Sequence, residues 1–370
     1  MPYPEELDYW TEELSIEFPQ LSRPQVNVLA LYSYGMAMTH HCGQTVITIF
    51  LALLLGITSQ NLRQRLREWN YEASRKRGHK RREIQVEDHF APLLSFILRH
   101  WREKKRLVLA LDVTCLRDRH TILAISVLYR GCAIPVAWRV LPGNQPGEWH
   151  PIWVSLIQKL VPAVPSGYQV LALCDRGLYS KRLFTILQSV GWHPFMRIRA
   201  QGMYRRIHAK KWRALEKVAF RGMPSQCFRA HCFKGDTLTC TLWVLWAAKY
   251  EEPCLVVTDL LPKQVKGNPY ALRAWIEAGF KDLKRGGLRW EQCKTTAPVR
   301  MERLLWVMGL ALLWLIRSGS AQSDELLYDP IAASLSCARL GWLAALAYAI
   351  LQQPMLSAHF SPYLFPPLPS

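Results

Sequence analysis

The chain has 370 residues, half of them hydrophobic and 20% charged, enough apolar material for more than one folded domain and too much for a disordered chain. Lys and Arg number 47 against 28 Asp and Glu, a formal charge of +19, which makes a polyanion such as nucleic acid the first expected partner. The longest uncharged apolar run, Leu304 to Ile316, has 13 residues, short of the roughly 20 that cross a bilayer, so it reads as a buried core helix and no membrane partner is expected.

The first hundred residues read as helical. They open acidic: residues 1–20 hold Glu5, Glu6, Asp8, Glu12, Glu13 and Glu17 and no Lys or Arg, with no basic stretch of a secretory signal. Ten cysteines without a compact framework suit reduced thiols in the cytoplasm. Thr45 to Ile57 is apolar, Gly56 interrupts it, and Thr58 or Ser59 can cap a second helix, Asn61 to Trp69. Two helices with a short turn and Arg63, Arg65 and Arg67 on the second suit a DNA-reading module, or equally a helical hairpin with a solvated basic face. Residues 62–82 carry nine Lys or Arg and two acids, ending in Arg75, Lys76, Arg77, Lys80, Arg81 and Arg82. Such a run is a solvated linker or lies on phosphates; the charge of the whole chain favours phosphates, with Arg81 and Arg82 as DNA contacts.

From Leu107 the pattern turns to strands: Leu107 to Leu111 ending in Asp112, Thr121 to Tyr129, and Ala133 to Val140 after a turn at Gly131. A helix over Trp149 to Val161, a strand Gln169 to Cys174 ending in Asp175, a helix Lys181 to Val190 capped by Ser180 and a strand His193 to Ile198 follow. Three strands, then helix, strand, helix, strand, is the order of a mixed α/β sheet covered by helices. Residues 201–262 begin basic and then give β-like runs over Gln226 to Phe233, Leu238 to Trp246 and Cys254 to Leu261, read as a β-rich insertion. A strong helix spans 268–285, with Asn268 as N-cap, Pro269 in the first turn and Gly286-Gly287 beyond its end. The rest is helical and apolar until a Pro-rich tail from Ser361. The expected division is a helical basic DNA-binding domain (1–100), a catalytic α/β domain (101–200 and 263–325), the β-rich insertion (201–262), and a C-terminal helical segment and tail (326–370).

In a chain poor in acids, Asp112 and Asp175 stand out, because each sits where an apolar strand leaves the core, the usual ligand edge of an α/β sheet. Either alone reads as a strand or turn cap. Side by side they repel, and a hard divalent cation such as Mg²⁺ relieves the repulsion with oxygen ligands. The helix at 268–285 adds a third acid. At about 100° per residue Tyr270, Arg273, Glu277 and Lys284 fall within roughly 60° of one face, spread along about 21 Å. That stripe suits a metal-ligating carboxylate flanked by phosphate-holding groups, or a solvated face on which Glu277 and Lys281 pair at i, i+4.

The spacing Tyr270-x2-Arg273-x3-Glu277-x6-Lys284 resembles the Tyr-Arg-Glu-Lys signature of DDE transposases from a large group of bacterial insertion sequences. Asp112-Val113-Thr114 resembles the first catalytic Asp of that family, and Cys174-Asp175-Arg176-Gly177 the second. The resemblance covers 107–317 and implies an RNase-H-like catalytic fold with a β-rich insertion before the third acid. It further implies that Asp112, Asp175 and Glu277 are the catalytic residues and hold two Mg²⁺ ions, with Mn²⁺ substituting. Tyr270, Arg273 and Lys284 would grip DNA phosphates. The implied reaction is cutting and joining of double-stranded DNA at terminal inverted repeats: water cuts one strand, and the freed 3′ hydroxyl attacks the partner strand or target DNA. A homodimer on paired ends, on the bacterial nucleoid in the cytoplasm, is implied too. A hairpin route would need an insertion Trp to receive a displaced base, for which Trp212, Trp243 and Trp246 are placed. The rival readings are an RNase-H-like nuclease or resolvase that cuts without joining, and a non-catalytic DNA-binding protein descended from a transposon.

Cys227, His231, Cys232 and Cys240 lack the paired spacing of a zinc knuckle and read better as strand residues, and His40-His41 beside Cys42 is no stronger. Glu148, Glu291 and Glu302 compete for the third acid without the flanking Tyr, Arg and Lys. Arg289, Lys294, Arg300 and Arg303 extend the expected basic surface.

Overall fold

The computed structural model describes residues 5–77, 82–101, 105–143, 148–248, 250–325, 331 and 335–351, without the side chains of 323–325. Five helices precede the sheet: α1 (Glu5–Glu17), α2 (Arg23–Thr39), α3 (Gln44–Leu55), α4 (Ser59–Trp69) and α5 (Phe90–Arg99). Between α3 and α4 the backbone reverses at Gly56, whose φ of +65° is the left-handed conformation a side chain resists, and Thr58 takes the N-cap position of α4. The two-helix pattern read from the sequence is therefore present, with Arg63, Arg65 and Arg67 exposed on α4.

Among the described residues ten strands form one sheet, in the order β3-β2-β1-β4-β5-β10-β9-β8-β6-β7. The first half comprises β1 (Arg106–Leu116), β2 (His120–Tyr129), β3 (Cys132–Pro142), β4 (Gln169–Cys174) and β5 (His193–Ile198). β1, β2 and β3 form an antiparallel meander, while β4 and β5 run parallel to β1 after crossovers through α6 (His150–Leu160) and α7 (Lys181–Ser189). Ser180 caps α7, its hydroxyl accepting from Leu183 N at 3.1 Å. This is the RNase-H-like arrangement.

The second half holds β6 (Met203–Arg206), β7 (Arg213–Ala214), β8 (Gln226–Cys232), β9 (Leu238–Leu245) and β10 (Cys254–Thr258). These strands do not close into a sheet of their own. β10 pairs antiparallel with β5, Thr258 opposite Phe195, so the insertion continues the central sheet and covers an edge that would otherwise be open. β6 and β7 escaped the sequence reading because they are short and basic, with no apolar run to mark them.

Period-2 alternation divides the sheet into two faces. Leu107, Leu109 and Leu111 join one core with Trp138, Trp153 and Leu183 and with α9 (Pro298–Glu325), whereas Val108, Ala110, Leu171, Leu173 and Phe195 join another under Tyr270, Leu272 and Ile276. The second face carries α8 (Ala274–Leu283); α10 (Cys337–Leu351) packs on α9. By length and composition α9 is apolar enough to cross a bilayer, yet nearly all of it is buried inside the protein, as a core helix should be. Trp306 of α9 stacks on His89 with ring centroids 4.2 Å apart and meets Phe18 edge-on at 5.3 Å. Arg303, expected on a basic surface, is fully buried instead: it donates to the carbonyls of Ile84 and Asn70 and pairs with Glu83, tying the N-terminal helices to α9. The ten cysteines are all free thiols.

Candidate active site

β1 and β4 lie in parallel register with Leu111 opposite Cys174, so the next residue on each is an acid, Asp112 beside Asp175. β4 stops there. β1 does not end at Leu111 as the apolar run implied: it continues to Leu116, held by β2, with Asp112 opposite Ala124. Asp112 is thus inside a strand on one side and at the open carboxyl edge on the other. One oxygen of each acid is fixed locally, Asp112 Oδ1 accepting from Val113 N at 2.9 Å and Asp175 Oδ1 from Arg176 N at 2.6 Å. The other oxygen of each turns to Arg273, whose Nη2 lies 3.0 Å from Asp112 Oδ2 and 3.6 Å from Asp175 Oδ2. Its Nη1 meets Glu277 Oε1 at 3.2 Å. Three carboxylates far apart in the chain converge on one guanidinium.

The helix that delivers Arg273 and Glu277 is not the single α-helix that its sequence predicts. Asn268 caps it, Oδ1 accepting from Ala271 N at 3.1 Å, but Pro269–Arg273 form a 3-10 turn before α8 begins. Tyr270 and Arg273, three apart, still share a face there, because a 3-10 turn closes in three residues. Lys284 follows α8, and its Nζ donates to Thr114 Oγ1 at 2.7 Å and Cys115 O at 3.1 Å, the stretch of β1 just beyond Asp112. All four side chains of the stripe therefore reach the β1–β4 edge. Tyr270 does so differently: it is buried, and its hydroxyl donates to Cys174 O at 3.2 Å, the last carbonyl of β4. Exposure rises from 13% at Arg273 and 15% at Asp112 to 39% at Asp175 and 66% at Glu277, so the cluster opens to solvent on the Glu277 side.

Burial lifts the Asp112 carboxyl above the usual aspartate range, Arg273 pulls it back, and Asp175 and Glu277 add to the rise. Burial works against the Arg273 charge, but Asp112 and Asp175 outweigh it and hold the guanidinium protonated beyond its ordinary value. Burial also raises the Tyr270 phenol, which stays protonated as a donor.

A further cation lies in the same row. Cys174 of β4 pairs with Met196 of β5, so Arg197 is the next residue across from Asp175. Its Nε is buried with no hydrogen-bond partner among the described residues, and its charge bears on the Tyr270 phenol. The sequence reading passed over it; the signal was an Arg at the end of an apolar strand, the same place that marked the two aspartates.

Residues 151–314 match the family model for the transposase DDE domain, a span that includes Asp175 and Glu277 and begins after Asp112. Over those residues the chain is similar to a transposase DDE domain. A cryo-EM structure of a piggyBac transposase synaptic complex with hairpin DNA is similar over 95% of this chain and 80% of that one, at 13% identity and a TM-score of 0.42. No curated protein sequence matches the chain.

The donor set of these three acids is chemically right for a hard divalent cation: carboxylate oxygens only, from β1, the end of β4 and α8. In this structure a positive group already stands between them, and the acids surround Arg273 instead of a common point; among the described residues no three His, Cys, Asp or Glu side chains close on one position. The competing acids have other partners, Glu291 with Arg285 at 2.6 Å and Glu302 accepting from Val140 N at 2.9 Å, while Glu148 is exposed ahead of α6.

The remaining candidates are scattered. Arg81 lies outside the described residues. Arg82 lines a cleft of about 1150 Å³ with Arg23, Arg65, Lys76 and Arg77. Trp243 is buried in the core, Trp246 donates to Tyr250 O at 3.1 Å, and Trp212 is half-buried under Arg205. His231 and Cys232 point to opposite faces of β8, which separates the Cys/His group that resembled a zinc site.

Proposed function

We propose that this chain is a DNA transposase that cuts and joins the ends of an insertion sequence with Mg²⁺ held by Asp112, Asp175 and Glu277. The observation that carries the reading is the meeting of those three carboxylates around one cation at the carboxyl edge of parallel strands, two of them within the stretch similar to a transposase DDE domain. Bound there, a pair of Mg²⁺ ions, or Mn²⁺ in their place, would activate the attacking oxygen and stabilise the leaving one.

The chain's own residues set up the rest. Local backbone donors fix one oxygen of Asp112 and of Asp175, so the second oxygen of each is presented in a set direction. Arg273 is a planar fork suited to a phosphate. Lys284 now rests on a hydroxyl and a carbonyl, both neutral, so its full charge remains for a backbone phosphate. Tyr270 presents its hydroxyl at the same edge. Residues 1–100, with Arg81 and Arg82 in their basic run, hold the duplex, and 101–200 with 263–325 cut it. Two copies act on paired inverted repeats on the bacterial nucleoid.

The test is an end-cleavage assay with a duplex carrying the terminal inverted repeat. Asp112→Ala, Asp175→Ala and Glu277→Ala should each abolish Mg²⁺-dependent cutting while end binding persists; cutting by the Glu277 variant overturns the assignment. Supplying a pre-cut 3′-OH end with target DNA should give a joined product. Cutting without joining would instead indicate a nuclease or resolvase, and binding in EDTA with no cutting in either metal a non-catalytic descendant.

A further inference from the structure

A second cleft, of about 690 Å³, opens between the start of α3, the exposed side of α4 and the segment leading into α9. Arg63, Arg67, Lys294 and Arg300 line it, and none of its lining residues is an Asp or Glu. Arg63 and Lys294 are exposed; Arg67 leans on the Tyr71 hydroxyl at 2.9 Å, and Arg300 is balanced by Glu72 at 3.0 Å from behind. At the floor Tyr32 is fully buried, with the side chains of Gln44 and Asn70 against its hydroxyl. Four cations converging on a cleft with no acid in its lining form the pattern of a phosphate site.

The cleft is fastened to the strand that carries Asp112. Arg119 Nη2, in the turn after β1, donates to Cys293 O at 2.6 Å, and a ring nitrogen of His120 meets Thr295 O at 3.0 Å. Asp112 and Leu116 are four residues apart on an extended strand, about 13 Å. At about 3.4 Å per base pair that is roughly four steps of duplex, or about four to six with the reach of Arg119 included. We infer that this cleft grips the phosphodiester backbone of the same duplex whose end lies at the three acids, about four to six base pairs inside the cut. The inference rests on the proposed reading of the site.

Its test separates the two. In the Asp112→Asn background, expected to bind without cutting, Arg63→Gln with Lys294→Gln removes two exposed charges. Each lost phosphate contact should flatten the plot of log affinity against log salt by about 0.9, so the double variant should lose about 1.8 of the slope. Ethylating phosphates four to six base pairs from the cut should weaken binding of the Asp112→Asn chain and leave the triple variant indifferent. An unchanged slope, weaker binding at an unchanged slope, or no duplex binding at all overturns the cleft. Failure of the intact chain to cut in Mg²⁺ while the slope still falls overturns the transposase reading and leaves the cleft standing.

Discussion

Arg273 holds the three acids together. Its guanidinium meets all three acids, it is 13% exposed, and its Nε has no partner among the described residues. Removing Arg273 leaves the Asp112 carboxylate, 15% exposed, uncompensated, while water screens Asp175 and Glu277, at a cost of about 1–3 kcal/mol. Arg273→Gln should therefore lower the melting temperature in EDTA, and Mg²⁺ should restore more stability to the variant than it adds to the native chain, since only in the variant do the carboxylates lack a cation. An equal Mg²⁺ response in both would show that Arg273 does not occupy the cation position. At this scale the sequence was informative where residue type and spacing carry the chemistry. Asp112, Asp175 and Glu277 were named from strand ends and a helix stripe, and the structure gathers them. It was silent where a role depends on register. Arg197 becomes a neighbour of Asp175 only because β4 and β5 pair Cys174 with Met196, and Arg303 is buried because a distant carbonyl at Ile84 folds over it.

Element packing decides whether those side chains stay in place. α8 lies so close to the start of β3 that a Cβ on Gly279 would come within 2.6 Å of Ala133 Cβ and 2.9 Å of its backbone. Gly279→Ala should push the helix outward, at the roughly 1–3 kcal/mol usual for overpacking, and carry Glu277 and Lys284 away from β1. We expect a lower melting temperature together with slower cutting; slower cutting at unchanged stability would mean that the helix adjusts without moving. A second contact between elements is acid-sensitive. His89 stacks on Trp306 where the N-terminal helices meet α9, and burial lowers its pKa to about 4. Between about 6.5 and 4 the unfolded chain binds the proton and the folded one resists it, so stability falls as pH drops through that window, by on the order of 3 kcal/mol in all. His89→Phe keeps a ring and removes the titration, and its denaturation midpoint should vary less between pH 7 and pH 4.5. The helices and longer strands were legible because their apolar periods are long. The 3-10 entry to α8 was not, since Asn268 and Pro269 open either kind of helix alike, and the extension of β1 past Asp112 depends on β2.

Over the whole molecule the charge is sorted. The acidic first helix does not offset the basic surface at large; it is used inside the fold, Glu13 pairing with Arg317 at 2.8 Å and Glu17 with Arg99 at 2.8 Å, while Leu7, Trp10 and Leu14 pack into the core. That arrangement makes a sharp prediction about α1. Arg317 is 8% exposed on α9, with Glu17 also within reach of its charge, so Glu13→Gln removes one carboxylate partner of a buried guanidinium, at about 1.5–3 kcal/mol, whereas Glu12→Gln on the exposed side of the same helix should fall within about 0.5 kcal/mol of the native chain. Both variants change the net charge equally. If α1 served as a general counterweight to the basic surface, the two would shift stability alike and would tighten DNA binding alike. If it is a structural clamp on α9, only Glu13→Gln lowers the denaturation midpoint, and salt should not rescue it, because a buried pair is screened far less than an exposed one. Urea titrations of the two variants at low and high salt separate these outcomes.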